Sequence, residues 1–523
     1  MTIRDDRFGH TKLPILTKLA FGIGSVGEVF FGGMFNTFIG IFYNQAIGLS
    51  NSLVGLAIMI ALIADAISDP VVGVVSDRWR SRFGRRHPFL FFAPVPLAIS
   101  IFLIFNPPAS LTGASGMAEN VNQMGLFIWL TCLTITSRLS ITLYVIPHLA
   151  LGGELTRDYN ERSSLFSLNS IFAFAIGALF AFVAWGYFLA GTTVNINGET
   201  IPRHLDPDAY LPLVLTSCGV VLSTIWLSAI GTLRAATELH LPASDSPRFT
   251  LIVFYQQMVS LLKIRNYLFL IFGLFFFAIA SGLYETFNVF VKTYFWELRP
   301  DDLKWFGLAS APAAIIGAVS APRLMRIFGR KAVIIGDLCA LALFVQLPVD
   351  LRLLGLLPAN GSESLFTLLL VNAACFTFTI ALGSVTILSM LSDTIDENEL
   401  VTGLRQEGLF FAARNFVGKA ASSLGHLFAG LMLDLFVRLP FNAVPGEVPA
   451  DVITRLGIAA GPVMGVFAII SILFYLDYNL SRERHEAICK ELDARKLSNT
   501  GTPLAEAVPE TSALSQSADG KIL

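Results

Sequence analysis

Long apolar blocks alternate with short polar breaks from one end of this chain to the other. The blocks are apolar on every face rather than along one stripe, the pattern of helices enclosed by lipid or by other helices. Hydropathy and breaker residues place twelve of them, at 16–46, 51–76, 88–107, 123–151, 164–190, 209–232, 266–296, 303–321, 332–357, 364–392, 406–437 and 456–478. Several exceed the roughly 20 residues that cross a hydrocarbon core, so they are expected to tilt or to run on into water. The predicted fold class is an all-α, multi-pass membrane protein.

The polar residues inside these blocks are few, and two of them form a pattern. Asp65 and Asp69 interrupt the second block at i, i+4, which puts both carboxylates on one helix face. An ionised carboxylate at membrane depth costs roughly 2.5–3.5 kcal/mol on insertion scales, so that face must turn inward, toward water, a cation or a basic side chain. Directly after it come Gly73, Asp77, Arg78, Arg80, Arg82, Gly84, Arg85 and Arg86, a dense cationic turn. An acidic membrane helix that feeds an arginine-rich loop suggests a cation-coupled carrier.

Charge in the breaks gives orientation. Arg78 to Arg86, Arg157, Arg162, Arg234, Arg248, Lys263, Arg265, Arg323, Arg326, Arg330, Lys331 and Arg405 fall on one side. The other side holds a sparser set and none in its first two loops, so the positive-inside rule predicts both termini in the cytoplasm. The longest connection on the basic side, 233–265, contains Pro242 and Ser244–Pro247, and its segment 251–262 is expected to form an amphipathic surface helix. It divides the chain into a six-helix half (1–232), a middle loop (233–265), a second six-helix half (266–478) and a polar tail (479–523) whose last stretch reads as disordered. A faint repeat relates the halves: Gly73, Ser76, Arg78, Phe83, Gly84, Arg85 and Arg86 are echoed by Gly317, Ser320, Arg323, Phe328, Gly329, Arg330 and Lys331. Two related six-helix halves point to the major facilitator architecture, with its site between the halves near the midplane.

Composition agrees with a membrane protein: 54% of residues are hydrophobic and only 14% charged, against about 25% charged in soluble proteins. The net charge of −2 gives no ground for nucleic-acid binding. No phosphate-binding loop, metal-ligand cluster or nucleophilic triad is recognisable, so neither an enzyme nor an ATP-driven pump is expected, and no cofactor. The five cysteines have no paired spacing and read as free packed thiols. The polar N-terminus carries no cleavable signal pattern, so the first span is expected to direct insertion.

Asp65-Ala-Ile-Ser-Asp69-Pro70 resembles the glycoside–pentoside–hexuronide:cation symporters of the major facilitator superfamily, the branch typified by melibiose permease. More of that family's pattern follows in order: Lys18 to Gly24, Ile47 to Ser50, Ile146-Pro147, Glu161-Arg162, Ser392 to Glu397, Thr402 to Gly408 and Asn415 to Lys419. The likeness spans about 18 to 425 and implies secondary active symport of a sugar with Na⁺ or H⁺ by a monomer embedded in membrane lipid, in the cytoplasmic (inner) membrane if the source is bacterial. It also implies a cation site at Asp65 and Asp69, with Ser68 and Thr142 as added oxygen ligands and Lys419 balancing the charge. Ser68 stands where the family has asparagine, which leaves Na⁺ against H⁺ open. The residues Gly73, Asp77, Arg78, Gly84, Arg85 and Arg86 correspond to the superfamily's conformational gate.

At the sugar site the chain departs from its model. Val29 and Val145 replace the two aspartates that accept hydrogen bonds from galactosides, and Leu149 replaces a stacking tryptophan. Glu28, Tyr144, His148 and Asn169 are the residues expected to bind substrate, with Asn36, Arg138 and Glu285 as further polar groups at cavity-like positions. The alternative substrate is a lysolipid-like amphiphile, since animal lysophospholipid symporters resemble the same family and also lack the galactoside acceptors.

Overall fold

The computed structural model describes residues 13–112, 121–156, 158–194, 198–237, 251–404, 406–480 and 482–500. The first polar residues, Arg157, Arg405, the centre of the middle loop with Pro242 and Ser244–Pro247, and the tail beyond 500 lie outside them. Twelve of the described helices are long and apolar enough to cross a membrane. In chain order they are α1 (Ile15–Ile47), α2 (Asn51–Arg78), α3 (His87–Thr112), α4 (Gln123–Glu154), α5 (Glu161–Phe188) and α6 (Pro207–Ala235), then, after a short helix α7 (Leu251–Leu261), α8 (Arg265–Phe295), α9 (Pro300–Phe328), α10 (Arg330–Leu353), α11 (Glu363–Thr402), α12 (Glu407–Val437) and α13 (Ala450–Leu476). A last helix, α14 (Arg482–Thr500), follows.

Local signals set the ends. Gly48 at φ 97° turns the chain out of α1, and the Ser50 hydroxyl caps α2 by accepting from the Leu53 amide. Asn122, Asp158 and Ser362 cap α4, α5 and α11 in the same way. Helix α11 runs ten residues past the predicted end at 392. Its last three turns are polar (Asp393, Asp396, Glu397, Glu399), so hydropathy is blind to them, and the helix stops only at Gly403 with φ 71°.

The helices pack in two groups built to one plan. In the first group α1 lies against α5 and α6, and α2 against α4; in the second α8 lies against α12 and α13, and α9 against α11. The groups meet through α2 on α12 and α5 on α9. Small residues allow the close approaches: a Cβ at Gly55 would sit 2.6 Å from the His426 carbonyl oxygen, and one at Gly430 2.2 Å from that of Asn51. Helices α7 and α14, neither of them a span, pack on the arginine-rich end of the second group, where Met258, Leu261, Ile488 and Leu492 share a core with Met390, Ile395 and Tyr478. The segment 251–262 is helical over Leu251–Leu261, as α7, and the polar tail adds α14, a helix that its composition does not announce. Its mean hydropathy is low, and the buried stripe is only one residue wide per turn.

At the opposite end the two groups are tied by polar contacts. Asp434 accepts hydrogen bonds from the Asn51 amide (3.1 Å) and side chain (3.0 Å) and from the Ser52 amide (2.7 Å) and hydroxyl (2.6 Å). The Gln45 amide oxygen accepts from Tyr294 and from the Ala443 amide, both at 3.0 Å, while its nitrogen donates to the Pro440 carbonyl at 3.1 Å. Asp434→Ala removes four charge-assisted bonds from one side of this seam, each worth about 1.5–3 kcal/mol at most. It is expected to let that end part. A cysteine placed at Asn36 should then react severalfold faster with an impermeant maleimide added from that side.

A two-stranded hairpin, β1 (Thr192–Val194) and β2 (Thr200–Pro202), caps the same end and leads to His204. The imidazole is fully buried, with Nε2 3.1 Å from the Thr293 hydroxyl and the ring edge-on to Trp185. Burial pushes its pKa down to about 3. Folded His204 is therefore neutral where the unfolded imidazole, at about 6.5, takes a proton. Stability from this group is complete above pH 6.5 and falls as the pH drops from 6.5 toward 3, by about 1.4 kcal/mol per unit. The thermal midpoint in detergent should decline less steeply between pH 7 and 5 in His204→Gln than in the parent.

Candidate functional site

Helix α2 carries Asp65 and Asp69 one turn apart, and Pro70 withholds the amide that would otherwise bond the carbonyl four residues back. Both carboxylates face α12 and α4. The Thr142 hydroxyl on α4 lies 2.5 Å from Asp65 Oδ1 and 3.3 Å from Asp69 Oδ1, so one hydroxyl bridges the pair. From α12, in the other half, the Lys419 ammonium donates to Asp69 Oδ2 at 2.5 Å and lies 3.0 Å from Asp65 Oδ2. Asp65 is 2% exposed, and the Lys419 side chain keeps a third of its surface. A buried carboxylate pair of this kind persists only with compensation, and Lys419 supplies it across the interface.

A second cation stands beside the first. Arg138 on α4 brings Nη1 to 3.9 Å from Asp65 Oδ2 and Nη2 to 3.5 Å from Asn36 Oδ1, while its guanidinium lies 4.0 Å from the centre of the Phe35 ring. Two negative and two positive side chains thus occupy one site. The sequence placed Arg138 among general cavity groups; what it could not supply is the rotation of α4 relative to α2. Ser68 departs from expectation. Its hydroxyl donates to the Asp65 backbone carbonyl at 2.9 Å, the ordinary back-bond of a helical serine, and does not reach the carboxylates in this arrangement.

The expected substrate residues separate into two sets. Glu28 is exposed on α1. Tyr144 and His148 are buried, at 0% and 2% exposure, inside the first half. Gly24 lets them in: a Cβ there would fall 2.1 Å from the tyrosine oxygen and 2.9 Å from the imidazole. His148 stacks on Phe21 at 4.2 Å and on Tyr144 at 5.0 Å. These two residues therefore brace α1 from behind, and in this state they do not line the space between the halves. Asn169 is partly buried on α5, and its backbone carbonyl accepts from Ser25 of α1 at 3.1 Å.

Polar groups that do meet between the halves include Asn36, Glu285, Thr286 and His426, around a cavity of about 20 Å³. His426 joins Thr286 through Nδ1 at 2.8 Å and Glu285 through Nε2 at 3.5 Å. That volume holds about one water, while beside it Asn36 is exposed and the Glu285 side chain keeps 41% of its surface. His426 went unnoticed in the sequence because a single histidine in an apolar block gives no spacing signal.

The gate residues gather at the arginine-rich end. Arg86 bonds Glu154 Oε1 through Nε (3.0 Å) and Nη2 (2.8 Å), Ser76 Oγ through Nη1 (2.6 Å), and Asp77. Arg85 adds a second contact to Glu154 at 2.9 Å. The cluster joins α2, α3 and α4 within the first half, and Glu154 is its unforeseen hub. Gly84 takes φ 84°, the left-handed region that the turn after Ser81 requires. Gly73 is not crowded; a Cβ there would meet Ile146 at an ordinary 3.8 Å. Arg78 ends α2. The second half repeats the device: Arg330, at the start of α10, pairs with Asp393 of α11 at 2.8 Å and with Ser389 at 2.8 Å.

Residues 20–482 match the family model described as MFS/sugar transport protein. A symporter of Synechocystis sp. described as uncharacterized is 27% identical, covering 93% of this chain and 98% of its own. The isoprimeverose transporter of Lactiplantibacillus pentosus is 22% identical, covering 82% and 79%. Among solved structures, the inward open xylose transporter XylE from E. coli superposes with a TM-score of 0.56 at 15% identity, over 91% of this chain and 98% of that one. The chain belongs to the MFS/sugar transport protein family: it is a multi-pass integral membrane transporter of major facilitator fold, not an enzyme.

Proposed function

We propose that this transporter couples the movement of a polar, polyhydroxylated solute of the glycoside or pentoside class to Na⁺ or H⁺ by alternating access. The observation that carries the reading is the contact of Asp65 and Asp69 with Lys419 across the two halves. Two carboxylates and the Thr142 hydroxyl offer hard oxygen donors suited to Na⁺, and a proton is the other ion that one of these carboxylates can carry. In either case the coupling ion takes over the charge that Lys419 balances here. Its arrival frees the ammonium, loosens α2 from α12, and makes the rearrangement of the halves depend on the ion.

The solute is proposed to bind next to this site, against Glu28, Asn36 and Glu285, with Arg138 in reach and Tyr144, His148 and Asn169 holding α1 in place. Charged and amide groups around the α2–α12 contact favour a hydrophilic solute over an amphiphile. The isoprimeverose transporter among the relatives points the same way. The arginine-rich end is proposed to face the cytoplasm, with the Asp434 seam closing the opposite side.

The test is uptake into proteoliposomes of isoprimeverose, xylosides and uronides, with Na⁺ or pH gradients imposed separately; accumulation dependent on one gradient supports the reading, and uptake of a lysolipid alone rejects it. Melibiose is expected not to accumulate. Val29 and Val145 offer no acceptor, and each unpaired hydroxyl on a buried sugar costs about 1–3 kcal/mol, so affinity should fall roughly a hundredfold or more. Robust gradient-driven melibiose uptake would show that the side chains have been misread.

A further inference from the structure

Away from the α2–α12 contact, three side chains of metal-ligating type converge where α14 lies on the end of α11. His485 and Cys489 are four residues apart on α14 and share a face. His485 Nε2 is 3.1 Å from Asp396 Oδ2 and 3.7 Å from Cys489 Sγ, and one ligand atom from each of the three lies within 4.8 Å of the others. Zinc bonds of 2.0–2.3 Å in a tetrahedron set ligand atoms about 3.4 Å apart for nitrogen and oxygen and about 3.6 Å for nitrogen and sulfur. The nitrogen–oxygen and nitrogen–sulfur separations come within about 0.3 Å of those values, and the oxygen and sulfur lie within 4.8 Å of each other. All three residues are partly buried, and Asp393 Oδ1 stands 3.4 Å from the same imidazole nitrogen.

We propose that Asp396, His485 and Cys489 form a binding site for a divalent transition metal of the Zn²⁺ class, with water or Asp393 in the fourth position. Asp393 meets Arg330 through Oδ2 and the imidazole through Oδ1, while Glu397 accepts from Asn266 at 2.8 and 3.0 Å and pairs with Arg484 at 3.3 Å. A mixed N, O, S donor set selects zinc over calcium or magnesium. On binding, the Cys489 thiol gives its proton to solvent and the thiolate bonds the metal, with no change of oxidation state. The metal would fasten α14 to α11 one turn from the Arg330–Asp393 pair, and so bear on the gate of the second half rather than on the coupling ion.

The full chain, freed of any affinity tag and stripped with chelator, is titrated with Co²⁺ and then with Zn²⁺. The expected result is one equivalent of Co²⁺ with tetrahedral visible bands and a thiolate charge-transfer band, all displaced by Zn²⁺. Cys489→Ser should lose the charge-transfer band, and His485→Ala should weaken binding at least tenfold. In the unaltered protein, Zn²⁺ should also slow maleimide labelling of Cys489, reversibly on chelation, a readout independent of how the variants fold. Absence of the bands, their survival in Cys489→Ser, or labelling of Cys489 indifferent to Zn²⁺ would overturn the assignment.

Discussion

Asp69→Asn is expected to abolish gradient-driven accumulation while leaving the protein folded in its membrane. The substitution keeps the volume and removes one of the two charges that hold the coupling ion. A charge-assisted contact of this kind is worth about 1.5–3 kcal/mol, which is about tenfold to a hundredfold in cation affinity. Asp65→Asn is informative about the ion. Asp65 is the more deeply buried of the pair and takes the shorter bond from Thr142. If Na⁺ is the driver, both carboxylates are ligands and the loss should match that of Asp69→Asn. If H⁺ is the driver, Asp69 alone can carry it and the loss should be milder. Uptake at several gradient strengths, with the amount of each variant in the membrane measured alongside, checks this. Full accumulation by Asp69→Asn would remove the carboxylate pair from the mechanism.

The second large effect is expected for Lys419→Ala. The ammonium lies within 3.0 Å of both carboxylates, and its removal leaves two like charges facing each other at membrane depth. Breaking a buried pair from one side costs about 3–5 kcal/mol, reduced here because Lys419 keeps contact with solvent and Arg138 stays nearby. Transport should fail or lose its dependence on the ion, and the thermal midpoint should fall. Adding Asp69→Asn to Lys419→Ala should restore the midpoint, because the surviving carboxylate retains Arg138 and Thr142. A double variant no more stable than Lys419→Ala would mean that the three side chains do not act as one unit.

Much of this was legible in the chain, for identifiable reasons. Twelve apolar blocks are hard to misread, and the i, i+4 spacing of Asp65 and Asp69 fixes a shared face without any structure. Lys419 announced itself as a charge inside an apolar block. The misses concern rotation and depth. Periodicity gives a face but not its neighbour, so Arg138 was not joined to Asp65. Tyr144 and His148 looked like cavity residues until the missing Cβ at Gly24 let them pack behind α1. Ser68 has the right element but spends its hydroxyl on its own helix. Glu154 and Asp393, which organise the two arginine clusters, lie at helix ends where hydropathy carries no information. The division into halves and the facing of the termini rest on the loop charges and on the repeated packing plan.

The central claim is that the coupling ion binds at Asp65 and Asp69 in place of the Lys419 ammonium. It is tested most directly, and without knowing the solute, by difference infrared spectroscopy of the membrane-reconstituted protein during Na⁺ addition at fixed pH and during pH titration without Na⁺. The expected result is a saturable change in the carboxylate bands with one of the two ions, absent in Asp65→Asn/Asp69→Asn and shifted to lower ion concentration in Lys419→Ala. Unchanged carboxylate bands in the parent with both ions, or the same change in the doubly substituted protein, would contradict it.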